Sequence, residues 1–386
     1  MFGKEKAYYE THDSIFTASE IAQQPDAWRK TIAIVKTHKE TLNDFLKEVL
    51  DKPDYEVIFT GAGTSEFVGN SIYPYLASVM EHRVHSYAST DIVACPSDYL
   101  DPKRPTLLVS FARSGNSPES VAAVALAEKI CGNIRHLFIT CNPDGQLAVF
   151  GRNRKNCYVL NMPPETNDQS FAMTSSYSSM YLAAVIAFMQ YLGLPFEKQA
   201  EMIIANTARF FSEDAGKLQK LCHDFTYNRI VYLGSNVLKG VAQESALKTC
   251  ELATGNVMTT FDSTMGFRHG PKSVVKNDSL VIVYLSDDPY TRQYDLDIVS
   301  EIHGEHIGKL IAITGGTTTD IRPYCDYAIG FGNNQPLENI FLGLEFITVG
   351  QLLGMFKALE LGNTPDSPCV TGQVSRVVHG VTIHEY

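Results

Sequence analysis

Hydrophobic positions recur at helical spacing through residues 1–50: Trp28, Ile32, Ile34 and Val35, then Leu42, Phe45, Leu46 and Val49, with Pro53 closing the run. That period predicts a helical preface. From Tyr55 the pattern changes. EVIFT is a short unbroken apolar run that opens into Gly61-Ala62-Gly63-Thr64-Ser65-Glu66 and then into a helical segment reaching about Met80. The same order of strand, polar turn and helix returns at TLLVSF (106–111), which is followed by ARSGNSPES and a helix to Cys131. It continues with HLFIT (136–140), CYVL (157–160) and an apolar helix over 174–194. Strands that are apolar throughout and alternate with helices predict a parallel sheet covered on both faces.

The chain then repeats itself. RIVYLGSN (229–236) matches EVIFTGAG, SLVIVYLSDD (279–288) matches TLLVSFARS, KLIAITGG (309–316) matches HLFITCNP and DYAIG (326–330) matches CYVL. IFLGLEFITVGQLLGMF (340–356) matches the apolar helix, and the offset stays near 175 residues throughout. A constant offset predicts a duplicated domain. The expected fold is α/β: two duplicated, doubly wound parallel-sheet lobes of flavodoxin-like type. The expected divisions are N-terminal helices over 1–50, a first lobe over 51–204, a second over 205–361 and a C-terminal tail over 362–386. Pro365, Pro368 and the tail glycines predict an extended run, either disordered or closing over a site.

Composition narrows the partners. With 386 residues, 44% hydrophobic and 19% charged, the chain can bury a large core. A formal charge of -11 without any Lys/Arg cluster argues against nucleic acid or an anionic membrane as partner. The eight cysteines form no Cys-x-x-Cys pair, which argues against a zinc ribbon or disulfide scaffold. MFGKEKAYYETHD has no apolar core of a secretory signal, so a cytoplasmic location is expected. MYLAAVIAFMQYLGLPF (180–196) is interrupted by Gln190 and closed by Pro195, which favours a buried core helix over a membrane span.

Two sets of residues carry candidate chemistry. Gly61-Ala62-Gly63-Thr64-Ser65 lies between a predicted strand and helix, where backbone N–H groups can meet an anion. A dinucleotide fingerprint would need glycine at 66, where Glu66 stands, and no Gly-Lys-Ser/Thr follows to make a P-loop. Ser114-Gly115-Asn116-Ser117-Pro118-Glu119-Ser120 puts hydroxyls and a helix-starting proline after the next strand, and Thr166-Asn167-Asp168-Gln169-Ser170 precedes the apolar helix. Each could be plain helix capping. Their joint position at strand carboxyl ends predicts an anion site in the first lobe, because the matching turns of the second lobe are acidic or short of hydroxyls. In the second lobe Glu244, Lys248 and Glu251 fall at i, i+4 and i+7 of a predicted helix and share one face. Alone they would read as a solvated ion-pair stripe. Phe267-Arg268-His269-Gly270-Pro271-Lys272 follows closely, and a carboxylate, a lysine and a histidine suit proton transfer beside a carbonyl. Glu301-Ile302-His303-Gly304-Glu305-His306 lacks the order of a zinc motif and reads as an exposed helical segment.

Gly61-Ala-Gly-Thr-Ser65, Ser114-Gly-Asn-Ser-Pro-Glu-Ser120, Glu244-Ser-Ala-Leu-Lys248-Thr-Cys-Glu251 and His269-Gly-Pro271 together resemble the sugar isomerase (SIS) domain proteins. They are similar in particular to the isomerase half of glucosamine-6-phosphate synthase, and the layout with its tail resembles the tagatose-6-phosphate ketose/aldose isomerase group, regarded as galactosamine-6-phosphate deaminase/isomerases. The resemblance implies that Thr64, Ser65, Ser114 and Ser117 hold a sugar phosphate, with Gln169 or Ser170 near the sugar and Arg376 of the tail at the substrate. It implies Glu251 as the base between C1 and C2, Lys248 as its support, and His269 as the group that opens the ring. That histidine can come from a neighbouring subunit, so a homodimer or homotetramer is implied. No metal or redox cofactor is required. No cysteine precedes Cys95, so the glutamine-hydrolysing half of the synthase has no counterpart, and the synthase's tail lysine is matched by Arg376, which cannot form an imine. The implied activity is conversion of an amino-sugar 6-phosphate to a keto-sugar phosphate with release of ammonium. The alternatives are isomerisation without deamination and a non-catalytic sugar-phosphate sensor.

Overall fold

The computed structural model describes residues 1–369, 371–378 and 380–386. Val370 and His379, within the tail expected to run extended, lie outside the described residues. In chain order the helices are α1 (Lys6–Thr11), α2 (Ile15–Ala22), α3 (Gln24–Thr37), α4 (Lys39–Leu50), α5 (Thr64–Val79), α6 (Ser89–Ala94), α7 (Pro96–Tyr99), α8 (Pro118–Ile130), α9 (Gln146–Gly151), α10 (Ser175–Leu192), α11 (Glu197–Glu213), α12 (Ala215–Asp224), α13 (Val237–Leu252), α14 (Pro289–Glu305) and α15 (Asn339–Glu360). The strands are β1 (Glu56–Gly61), β2 (Val84–Ala88), β3 (Thr106–Ala112), β4 (Ile134–Thr140), β5 (Cys157–Asn161), β6 (Arg229–Gly234), β7 (Met258–Asp262), β8 (Ser279–Tyr284), β9 (Lys309–Thr314) and β10 (Tyr327–Gly330).

The chain folds into two compact units. One holds residues 26–168, 173–196 and 371–386, and the other residues 1–25, 169–172 and 197–370. The first carries a parallel sheet in the order β2-β1-β3-β4-β5, and the second carries β7-β6-β8-β9-β10. The two orders are the same doubly wound arrangement, with its switch point between β1 and β3 in one copy and between β6 and β8 in the other. Sequence reasoning anticipated four strands per lobe. The fifth in each, VHSYA and MTTFD, is an edge strand of mostly half-buried residues, so it shows no apolar run.

The duplication extends to the backbone. Gly63 has φ 57° and ψ -127°, and its counterpart Asn236 has φ 56° and ψ -124°. Each stands directly before a 16-residue helix, α5 or α13. This positive φ suits glycine, which has no Cβ, and Asn236 adopts the same backbone with one. Both glycines that end β1 and β6 are closed in: a methyl on Gly61 would lie 2.5 Å from the Ser65 backbone, and one on Gly234 2.5 Å from that of Leu238.

Each sheet carries an apolar layer. Ile58, Leu108 and Phe138 pack with Ala123, Val124 and Ala127 of α8 in the first unit. Val231, Val281, Val283 and Ala312 pack with Ile298, Val299 and Ile302 of α14 in the second. Among the described residues one helix, α15, is long and apolar enough to cross a membrane, and 94% of its apolar 18-residue window is buried inside the protein, as in a core helix. Its Gly350 and Gly354 form a notch against α13, where added methyls would lie 2.3 Å from Ser245 Oγ and 3.1 Å from the backbone of Lys248.

Candidate functional site

The turns of the first unit expected to meet an anion are built at the carboxyl ends of β1 and β3. Thr64 and Ser65 open α5 and are nearly buried, at 5% and 7% exposure. Ser117 precedes Pro118 of α8, and its hydroxyl lies 3.0 Å from that of Ser120. Ser114 Oγ accepts from the Asn116 backbone at 3.3 Å, while Asn142 Nδ2 braces the turn on the Ser114 carbonyl at 3.0 Å. Hydroxyls and helix N-termini thus share one end of this sheet, as an anion requires.

The matching end of the second sheet is closed instead. Where α5 starts with Thr64-Ser65, α13 starts with Val237-Leu238, both buried. Asp295 of α14 fills the space between the turns, accepting from Ser235 Oγ (2.7 Å), Thr264 Oγ1 (2.9 Å) and the Ser286 backbone (3.0 Å). Burial pushes the Asp295 carboxyl above the usual carboxylate range, against these hydrogen bonds. A buried carboxylate thus ties together the turns that follow β6, β7 and β8.

The charged stripe on α13 is buried, not solvated. Lys248 and Glu244 side chains are both 0% exposed, and Glu251 is 24% exposed. Lys248 Nζ lies 2.5 Å from Glu251 Oε2 and 3.3 Å from Glu244 Oε1. Burial acts to lower the lysine's pKa, but the two carboxylates outweigh it and hold it above the ordinary value. The ammonium is therefore fixed, and Glu251 alone of the three reaches solvent. Such a carboxylate can exchange a proton with a ligand while its orientation is set by a buried cation.

His269 sits on an exposed turn that ends in Gly270, whose φ is 122°. The turn is anchored on α14: Arg268 Nε bonds Glu301 at 2.7 Å, and Lys272 bonds both Glu301 and Glu305. Glu301 to His306, which superficially resembled a metal motif, supplies this anchor.

The side chains of two residues expected to meet the ligand, Ser170 and Arg376, are engaged in protein bonds. Ser170 Oγ donates to the buried Glu20, which also accepts from the Gln169 and Ser170 backbone. The Gln169 residue itself is exposed. Arg376 Nε donates to the Asp168 carbonyl at 2.9 Å and Nη2 to Asn167 Oδ1 at 3.2 Å. Sequence reasoning gave no role to Glu20, Asp168 or Arg113. Asp168 is fully buried at the start of α10, where it accepts from Thr174 and Ser176 backbone N–H groups and from Ser175 and Ser176 hydroxyls. The sequence carries a clue: an acid that can reach the hydroxyls and backbone N–H groups six to eight residues on, where an apolar helix begins.

Relatives share this organisation across most of the chain. The D-galactosamine-6-phosphate deaminase AgaS of Escherichia coli O157:H7 is 40% identical over 383 residues, covering 96% of each chain. The D-galactosamine-6-phosphate deaminase AgaS of Shewanella sp. (strain ANA-3) is 39% identical over 379 residues, covering 97% of this chain and 93% of its own. The crystal structure of tagatose-6-phosphate ketose/aldose isomerase from Escherichia coli superposes with a TM-score of 0.89 at 38% identity, covering 96% of each chain. The SIS domain model matches residues 50–190 and 226–331, one segment for each sheet. With both sheets matched and relatives at this identity along its length, the chain belongs to the SIS domain family.

Proposed function

We propose that this chain is an amino-sugar-phosphate deaminase and aldose/ketose isomerase that converts D-galactosamine 6-phosphate to tagatose 6-phosphate and ammonium. The observation that carries the reading is Glu251, a partly exposed carboxylate held at 2.5 Å by the buried Lys248 ammonium. The full-length similarity to D-galactosamine-6-phosphate deaminases supports the substrate.

In this reading Thr64, Ser65, Ser114 and Ser117 hold the phosphate, with Gln169 and Ser170 shaping the sugar's surroundings. His269 donates a proton to the ring oxygen as the C1 hydroxyl proton leaves, giving the open-chain aldehyde. Glu251 takes the proton from C2, the C1 oxygen gains one, and the product is an enolamine. Glu251, which reaches solvent and exchanges its proton there, then protonates C1, leaving a C2 imine. Water adds to that imine, and ammonium departs from the ketone of tagatose 6-phosphate. Every step is a proton transfer or an addition of water, so no redox cofactor enters. Arg376 takes no covalent part, because the substrate's own amine supplies the imine. The functional division places anion binding in residues 51–204 and proton transfer in residues 205–361, with residues 1–50 as a helical preface and 362–386 as the tail. The exposed turn of His269 fits donation of this residue to a neighbouring subunit of a cytoplasmic homodimer or homotetramer.

A second reading, isomerisation of tagatose 6-phosphate without deamination, is favoured by the similarity to the solved ketose/aldose isomerase. Ammonium release from galactosamine 6-phosphate and glucosamine 6-phosphate, measured beside isomerisation of tagatose 6-phosphate, separates the two. Ammonium from the galacto compound is expected. No ammonium from either amino sugar, with tagatose 6-phosphate isomerised, would leave the second reading.

A further inference from the structure

We propose that Arg113 is a positioning residue that fastens the C-terminal segment to the anion turn, so that tail docking and anion binding support each other. The anion part rests on the reading of Ser114 and Ser117 given above.

Arg113 follows β3 directly and precedes Ser114, and it is only 6% exposed. Its Nη2 donates to the carbonyl of Arg376 at 2.7 Å. Arg376 in turn grips the Asp168 carbonyl and the Asn167 side chain. The loop it grips is itself fixed, since the Asp168 carboxylate is bonded to the first turn of α10. One tail residue is therefore held through both its carbonyl and its guanidinium.

A second fastening lies at the chain's end, where Lys129 bonds the Tyr386 carbonyl oxygen and lies 5.8 Å from its ring. Lys129 stands in the last turn of α8, whose first residue, Pro118, follows the anion turn. Between these points residues 382–386 line a cavity of about 920 Å³ together with Ala122, Ala125 and Leu126 of α8. The tail is thus strapped along α8. It buries little apolar surface: Val374, Val378, Val381 and Ile383 are 39–58% exposed. A segment that buries so little apolar surface opens at low free energy, so the loss of one fastening is expected to release it.

The coupling follows from shared backbone. An anion bound by Ser114 and Ser117 would immobilise the turn that carries Arg113, and the ordering needed to hold Arg376 would already be met. By reciprocity a docked tail raises anion affinity by the same factor.

Trypsin reads the latch directly, because Arg376 is the sole Lys or Arg after Lys357, and cleavage there frees residues 377–386. The protease needs both the Arg376 side chain and its carbonyl, the two groups the protein holds. The wild-type bond is expected to resist, and inorganic phosphate to slow cleavage further. Arg113→Ala should speed cleavage about tenfold or more, the scale of one hydrogen bond from a charged donor, and should abolish protection by phosphate. Arg113→Lys, which keeps one charged donor, should fall between. Thermal melting of the variants, with cleavage at other sites as control, separates release of the tail from general unfolding. As a second test, a chain ending at Gly372 with Arg113 intact should bind inorganic phosphate more weakly in titration calorimetry, by the factor with which phosphate protects the wild-type bond. Equal trypsin rates for wild type and Arg113→Ala would overturn the latch. Unchanged phosphate affinity in the shortened chain would overturn the coupling. Absence of phosphate binding to the wild type would instead overturn the anion site of the proposed function, and the coupling with it, while leaving the cleavage comparison without phosphate to judge the latch.

Discussion

Replacing Lys248 by methionine removes a charge while keeping most of the side-chain volume, and the structure fixes how much that should matter. An exposed pair at i, i+4 contributes about 0.3–0.5 kcal/mol. Removing one partner of a buried pair costs about 3–5 kcal/mol, because the other charge is left without compensation. Lys248 and Glu244 are each 0% exposed, so the larger figure applies. For a unit of roughly 200 residues, 1 kcal/mol shifts the midpoint by about 2–4 °C, and Lys248→Met should melt about 6–20 °C below wild type in calorimetry at neutral pH. The deficit should depend on pH. A buried Glu244 deprived of its cation is driven toward protonation. A group whose folded pKa is raised contributes most below its unfolded value, so the deficit should shrink toward pH 5 and be full at pH 8. Lys248 in the wild type has its pKa raised above 10.5 by Glu244 and Glu251 against the pull of burial. Its contribution is complete below that value and is lost only as pH rises through the folded pKa, so no loss from this group is expected between pH 5 and 9. Glu244→Gln combined with Lys248→Met should recover more than half of the deficit. A single variant melting within about 1 °C of wild type would refute the buried-pair argument, since a solvated pair is worth only a few tenths of a kcal/mol.

Two further outcomes follow from packing and from the anion turn. Gly354→Ala would place a methyl 3.1 Å from the backbone of Lys248, so α13 must shift; the midpoint should fall by several degrees, with kcat reduced more than KM. Ser65→Ala and Ser114→Ala should each raise KM about tenfold or more with little change in kcat, since a hydrogen bond to a charged ligand contributes about 1.5–3 kcal/mol in ground and transition state alike. Steady-state kinetics with the amino-sugar phosphate check these; a fall in kcat at unchanged KM for either serine would move that residue from anchoring the phosphate to the chemistry.

Much of this molecule is legible in its sequence because duplication writes each element twice. The interior strands EVIFTG, TLLVSFA, RIVYLG and SLVIVY are buried throughout and read as unbroken apolar runs. The edge strands β2 and β7 are half-buried, and nothing in their composition sets them apart from loops. Spacing placed Glu244, Lys248 and Glu251 on one face, but periodicity is silent on whether that face meets water. The answer lay a hundred residues away, in Gly350 and Gly354, which let α15 approach the backbone of α13. Ser170 illustrates the opposite failure. Its hydroxyl looked available beside other polar residues, yet Glu20 holds it across 150 positions of sequence. Arg376, expected at the substrate, is likewise fastened to Asp168 across 208 positions. Local chemistry therefore identifies which residues are able to react, while long-range packing decides which of them are already occupied.

In the proposed reaction Glu251 moves the proton between C2 and C1 of an amino-sugar phosphate. Glu251→Gln keeps the shape of the side chain and its contact with Lys248 but cannot act as a base. Ammonium release from galactosamine 6-phosphate, followed in D2O with product analysed for deuterium at C1, tests it most directly. Wild type should release ammonium and yield tagatose 6-phosphate labelled at C1, while Glu251→Gln should bind the substrate with similar affinity and lose nearly all turnover and exchange. Wild-type ammonium release and C1 labelling by Glu251→Gln would contradict the account.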